Sequence, residues 1–207
     1  MTIELRKLFE IDLQNYLKSN FNLDSNVKFL KNEISIKKTK NNASSGDIGF
    51  RFLNNAHGYI LYTGVNSPEL LHFFKEVNPP YRSNKPENVV YSMNTSMENG
   101  FKSFSPTMRG TVDLPRNEEE RKKTCEWIYT KVRDIYLPRT MNLIEIKPDA
   151  IKDITSFPDY YAYPFLTILY IIKKNNILLS DLDIESIFNK NITGNKSFDK
   201  NLLDTYL

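Results

Sequence analysis

The chain has 207 residues, of which 40% are hydrophobic, 26% charged and 13% aromatic. A chain of this size buries roughly 70% of its unfolded surface, so it folds without disulfides or a structural metal, and its balance excludes a disordered protein. The net charge of +3, from 28 basic and 25 acidic residues, falls short of the concentrated basic face of a nucleic-acid-binding domain, and the single cysteine, Cys125, excludes an internal disulfide.

From Met1 to Ser19 charged and apolar residues interleave, unlike the basic start and apolar run of a secretory leader. The longest apolar stretch, Tyr160 to Ile172, contains Pro164 and is shorter than the roughly 20 residues of a membrane span. A cytoplasmic protein with no membrane partner is expected.

Thr2 to Lys18 reads as an amphipathic helix, because Leu5, Leu8, Phe9, Leu13, Tyr16 and Leu17 recur at spacings of three and four. Asn20 and Asn22 end it. The period then becomes two. Val27 and Phe29, then Ile34 and Ile36, flank a turn at Lys31-Asn32-Glu33. After a polar loop from Asn41 to Gly46, a second hairpin pairs Ile48, Phe50 and Phe52 with Tyr59 and Leu61. Gly58 in its turn is free to take a positive φ. Ser67-Pro68-Glu69 signals a helix start, with a capping hydroxyl, a proline at the first position and an acid in the first turn. Leu70, Leu71, Phe73, Phe74 and Val77 form that helix's apolar face, and Pro79-Pro80 stops it.

A loop is expected over residues 81–88 and a strand over Val89 to Thr95, with weaker strands at Phe101 to Phe104 and Met108 to Leu114. Asn117 then opens a middle helix whose first turn carries Glu118, Glu119 and Glu120. Cys125, Ile128, Val132, Ile135 and Tyr136 point inward, and the helix is expected to end near Leu137-Pro138. Further helices are expected over Asp149 to Thr155, Tyr163 to Asn175, Ser180 to Asn189 and Ser197 to Tyr206; the second of these is apolar nearly all round and therefore buried. The order predicts an α+β fold. A mostly antiparallel sheet of about five to seven strands is packed by an N-terminal and a middle helix, with a helical C-terminal region. One domain is expected over residues 1–207, with 1–147 the α+β core and 148–207 a helical extension packed on it.

Two histidines and one cysteine do not build a zinc site, and no glycine-rich phosphate loop or G-x-S-x-G elbow occurs. No metal or other cofactor is expected, and His72 reads as a helix-surface residue. One catalytic pattern is nameable. Leu143 to Lys147 reads as a strand ending in Glu145-Ile146-Lys147, with Asp113 and Asp134 upstream. In metal-dependent nucleases an Asp and the Glu of such a strand hold Mg²⁺ while the Lys assists the attacking water. Asp113, Glu145 and Lys147 are thus the residues of an alternative, nuclease reading, although Glu120-Arg121-Lys122 fits the same pattern on a helix surface. A second alternative is a weakly basic accessory protein that binds nucleic acid through Lys28, Lys31, Lys37, Lys38 and Lys40; those side chains otherwise simply face solvent. Twelve tyrosines and thirteen phenylalanines exceed the needs of the core. Tyr81, Arg82, Tyr160 and Tyr161 fall in loops or near a helix entrance and are candidate partner-binding residues, since Tyr and Arg are favoured at interfaces. The competing reading packs Tyr160 to Tyr163 into the fold.

Several segments together resemble a bacterial family of small α+β proteins catalogued as a domain of unknown function. They are the N-terminal helix ending at Leu17 to Phe21, Gly64-Val65-Asn66-Ser67-Pro68-Glu69-Leu70, Tyr136-Leu137-Pro138, and Ile144 to Ile154 with its Lys147-Pro148-Asp149-Ala150-Ile151-Lys152-Asp153 segment. The resemblance covers about residues 1–155. It implies a non-catalytic protein encoded beside polymorphic toxins, an immunity protein that binds and blocks one cognate toxin domain. No catalytic residue is carried over with it.

Overall fold

The computed structural model describes residues 2–21, 27–30, 33–37, 44–98, 110–189 and 192–206. The expected turn at Lys31-Asn32, the loop from Asn41 to Ala43, the strand from Phe101 to Phe104 and the start of the one at Met108 lie outside them, as do Asn22, Lys31, Lys38 and Lys40. The architecture is the expected α+β one. Helix α1 (Thr2–Asn20) precedes strands β1 (Val27–Leu30), β2 (Glu33–Lys37), β3 (Ser45–Leu53) and β4 (Gly58–Asn66). Helix α2 (Pro68–Val77), strands β5 (Tyr91–Asn94) and β6 (Val112–Asp113) and helix α3 (Glu118–Lys131) follow. Helices α4 (Leu137–Ile144), α5 (Ala150–Ser156), α6 (Pro164–Asn175), α7 (Ile184–Asn189) and α8 (Lys196–Tyr206) complete the chain. Among the described residues the strands form one sheet in the order β1-β2-β3-β4-β5, with β6 also paired to β4. No helix among them is long and apolar enough to cross a membrane.

The chain divides into two compact units. The first comprises Met1–Lys37, Gly46–Gly64 and Met93–Thr140. Its core joins Phe9, Leu13 and Leu17 of α1, Ile48 and Phe50 of β3, Tyr59 and Leu61 of β4, and Cys125 and Ile128 of α3, all buried. Leu8 departs from the expected stripe and is 48% exposed, beside Ile3 and Ile11. At 3.6 residues per turn it lies about 100° round the helix from Phe9. The Tyr59 ring meets Phe9, Phe50 and Phe52 edge-on. Its hydroxyl donates to Glu10 at 3.0 Å, and Arg6 donates to the same carboxylate oxygen at 2.9 Å. A second polar knot forms where Glu98 accepts from Lys131 Nζ (2.6 Å) and from the Tyr136 hydroxyl (2.8 Å). Both knots satisfy acids that are nearly enclosed.

The middle helix begins as expected: the Asn117 side chain accepts from the Glu120 amide, and Glu120 returns to the Arg116 amide and the Asn117 side chain. It does not stop at Leu137-Pro138. A π-helical turn over Val132–Tyr136 inserts an extra residue, the Leu137 amide reaches back to the Val132 carbonyl, and α4 continues to Ile144. The widened turn relieves the press of the Pro138 ring on the preceding turn, so the helix survives a residue that ordinarily ends one.

The second hairpin also departs in detail. Strand β3 already includes Ser45 and Gly46, and the left-handed turn residue is His57 (φ 48°), not Gly58. The Ala56 amide bonds the Leu53 carbonyl, closing a turn that His57 completes. Gly58 is required for a different reason. It lies opposite Asp113 in the antiparallel pairing with β6, and a Cβ there would stand 2.7 Å from the Val112 carbonyl oxygen.

The second unit comprises Lys38–Ser45, Val65–Ser92 and Met141–Leu207. Helix α6 is its centre, with Phe165, Leu166, Ile168, Leu169, Ile171 and Ile172 all buried. Helix α2 packs beside it: Phe73 contacts Tyr170 and Tyr206, and Glu69 accepts from Tyr170 and Lys174. The Ser67 hydroxyl caps α2 by accepting from the Leu70 amide, with Pro68 at the first helical position.

Gly58→Ala is expected to destabilise the protein by about 1–3 kcal/mol, because the methyl meets backbone that moves only with the β4–β6 pair. Urea unfolding reads this directly. An unchanged midpoint would show that β6 yields freely.

Candidate functional site

The residues of the nuclease reading occupy unrelated settings. Glu145-Ile146-Lys147 is not a strand. The Lys147 amide bonds the Asn142 carbonyl (2.8 Å) and the Ile146 amide the Leu143 carbonyl (3.3 Å), so the three residues form the left-handed cap that ends α4, with Ile146 at φ 54°. The apolar periodicity that suggests a strand over Leu143 to Lys147 comes from burial of Leu143, Ile144 and Ile146 at this helix end. Glu145 and Lys147 pair with each other at 2.5 Å. Asp113 lies in β6 within the first unit, lining a cleft of about 330 Å³ with Arg116, Glu120 and Lys123, and Asp134 pairs with Arg133. Among the described residues no three or more His, Cys, Asp or Glu side chains converge as a metal cluster. Cys125 is enclosed, and burial followed by the nearby Asp12 carboxylate pushes its thiol up to about 12. Lys28 is exposed on β1, and His72 is exposed on α2 beside Glu76.

The aromatic candidates gather in the second unit. Tyr160 and Tyr161 are 5% and 1% exposed. The Tyr161 hydroxyl donates to Asp153, its ring packs on Tyr91, and Tyr160 stacks on Phe157. These rings face the interior and offer a partner little area. Tyr81 is half-buried and Arg82 exposed, on the segment that follows α2.

That segment, Asn78 to Val89, is fixed along its length. Asn78 ends α2 in a left-handed conformation (φ 46°), its amide bonding the Phe74 carbonyl. Pro79 and Pro80 restrict the backbone next. The Tyr81 ring packs against Tyr163 and Phe198, and its hydroxyl donates to Asp199 at 2.7 Å. Gly194 lies against this ring, where a Cβ would come within 2.2 Å of it. The Ser83 hydroxyl donates to the Lys85 carbonyl and accepts from the Lys85 amide, and the Asn84 amide bonds the Ala162 carbonyl. Asn88 is again left-handed (φ 68°), and its carbonyl accepts from the Asn66 side chain at 2.8 Å.

Between this segment, the end of α2 and the entrance of α6 runs a half-open groove of about 480 Å³. Phe74, Pro79, Pro86, Val89 and Tyr163 make its apolar wall, and Lys75, Lys85, Asn78 and Asn88 its polar one. Lys85 is half-buried; burial lowers its pKa below the ordinary lysine value, partly opposed by Asp159. Sequence patterning identifies the loop and Tyr81 but gives no sign of Lys85 or Asp199.

Asp199 anchors the arrangement from beneath. It is fully buried and accepts from the Tyr81 hydroxyl and from the amides of Asn195 and Gly194. Burial raises its carboxyl above the ordinary value of 3.8, and these three donors pull it partly back.

The fold and the groove define an α+β protein with a pre-shaped surface cleft. No family model, curated protein or solved structure matches the chain.

Because the native pKa of Asp199 is raised, the stability linked to it is full below the ordinary carboxylate value and lost as pH rises through the native one. Asp199→Asn is therefore expected to flatten the fall in urea midpoint above about pH 4. Tyr81→Phe, which leaves the carboxylate on two backbone amides, should cost about 1.5–3 kcal/mol at neutral pH. An unaltered pH profile in Asp199→Asn would mean that the carboxylate is effectively solvated.

Proposed function

We propose that this chain is a non-catalytic protein-binding module, and specifically a cytoplasmic immunity protein that binds and blocks a cognate bacterial toxin. The observation that carries this reading is the groove of the second unit, whose loop is held by side chains of α8, of the end of β4 and of the entrance of α6 before any partner arrives. A surface already in its bound shape loses little conformational entropy on association, so contact energy goes into affinity. Tyr163 in its apolar wall suits the centre of an interface, and Lys75, Lys85 and the asparagine amides suit its polar rim. Blocking of a toxin needs no chemistry from the blocker. It needs occupation of the toxin's active cleft by about 1,600 Å² of total buried surface, most of it complementary in shape and charge. The resemblance of residues 1–155 to proteins of toxin loci gives the same direction.

Co-expression of the chain with the protein encoded beside its gene tests the reading. Restored growth of the host and a stoichiometric complex are expected. Arg82→Glu, a reversal at an exposed position of the loop, should weaken the complex about tenfold or more without moving the melting midpoint. A stable complex with a harmless partner would keep the binding module and remove immunity. Absence of both complex and protection would remove the proposal.

A further inference from the structure

We propose that the groove between the end of α2 and the Asn78–Val89 loop seats an acidic segment of a partner protein, with the Lys85 ammonium pairing with one of that segment's carboxylates. This rests on the protein-binding reading and names the chemistry of its partner.

The argument begins with Lys85. Its backbone is held in the groove wall because the Ser83 hydroxyl bonds both the amide and the carbonyl of Lys85, and the adjacent Asn84 amide is tied to Ala162. Its ammonium is partly withdrawn from water, yet among the described residues no carboxylate comes within ion-pairing distance of it. Asp159 attracts it only through space. A lysine free to move would swing its head into solvent. Lys85 instead stays half-buried along the groove, a site that favours an incoming anion, because a carboxylate arriving there restores the interaction lost with water.

The remaining lining fits a peptide better than other anions. Lys75 adds a second positive charge, and Asn78 and Asn88 present side-chain amides that make no internal hydrogen bond among the described residues. Such amides recognise the main chain of an extended segment, being donors and acceptors at once. Pro86, Val89 and Tyr163 offer apolar contact for side chains flanking the acid. Glu87 also lines the groove. It disfavours a continuous polyanion such as nucleic acid, whose backbone would bring a further phosphate against it, but leaves room for a segment with isolated acids.

The test uses the full chain and a fluorescein-labelled peptide of alternating Glu and Phe, read by anisotropy against its Gln-for-Glu counterpart and a single-stranded oligonucleotide. The acidic peptide should bind at least about tenfold more tightly than the Gln peptide. Lys85→Gln should abolish that difference while Lys85→Arg retains it, with melting midpoints unchanged in both. Equal binding of the two peptides, no binding of either, equal or tighter binding of the oligonucleotide, or an unaltered preference in Lys85→Gln would each overturn the assignment. Co-purification of the neighbouring-gene protein with Lys85→Gln at wild-type strength would also overturn it, and would leave the protein-binding reading standing. Loss of that complex in the wild-type chain counts against the reading itself.

Discussion

The second unit depends on a carboxylate placed where carboxylates are rarely found. Asp199 has no exposed surface and no basic partner among the described residues. Burial of an unpaired charge is among the most costly events in folding, tolerated only when donors replace the lost water. Here the Tyr81 hydroxyl supplies one donor and the start of α8 supplies two amides. The exchange serves both sides: the Asn195 side chain caps the Phe198 amide while Asp199 returns to the Asn195 amide, so the helix end and the loop are fixed by one group. Tyr81 carries the consequence outward. With its ring confined between Tyr163, Phe198 and the face of Gly194, the segment from Pro79 to Ser83 has one route, and the groove has a floor.

The first unit uses the same logic with different parts. Tyr59 lies in a ring of phenylalanines yet keeps its hydroxyl satisfied by Glu10, which Arg6 holds in turn. Glu98 does this for Tyr136 and Lys131. Each acid is oriented by a cation on one side and a phenol on the other. Apolar packing alone admits rotated or shifted helices, whereas a fully satisfied polar network does not, because a shift would leave its buried groups unpaired. The placement of α1 and α3 is therefore fixed by where Glu10, Arg121 and Asp12 meet their partners as well as by the volume of Phe9, Leu13 and Ile128.

Local rules were legible in the sequence because they act over a few residues. The Ser67-Pro68-Glu69 start, the Asn117 cap, the strand pairs β1–β2 and β3–β4 and the apolar α6 follow from propensity and period, and all are present. What the chain concealed depends on distance or on competition between rules. Tyr81 and Asp199 stand 118 positions apart, and no pattern links them. Pro138 reads as a stop because the rule against proline is strong, but a π turn one step upstream accommodates it. Glu145-Ile146-Lys147 resembles a strand end because a left-handed helix cap with a buried isoleucine alternates polar and apolar residues in the same way. Gly58 reads as a turn residue because glycine ordinarily serves φ; its role is to admit the β6 backbone.

Among the described residues, α2, α4 and α6 end in left-handed residues, and the choice of residue follows what each end must do. Asn78 and Asn176 adopt this conformation at little cost. Ile146, branched at Cβ, is held there at about 1–2 kcal/mol. Its side chain is 1% exposed, and its carbonyl accepts from the Asn175 side chain at 2.9 Å. Burial of an isoleucine contributes about 1.5–3 kcal/mol, enough to offset the strained backbone. Glycine at 146 would relax the turn and empty the core; asparagine would place an amide among apolar neighbours. At Asn78 the balance reverses. That position is exposed at the mouth of the groove, so no buried side chain is needed to hold it, and a residue that takes the left-handed turn unaided leaves its side chain in the groove wall while its backbone amide closes the helix on the Phe74 carbonyl.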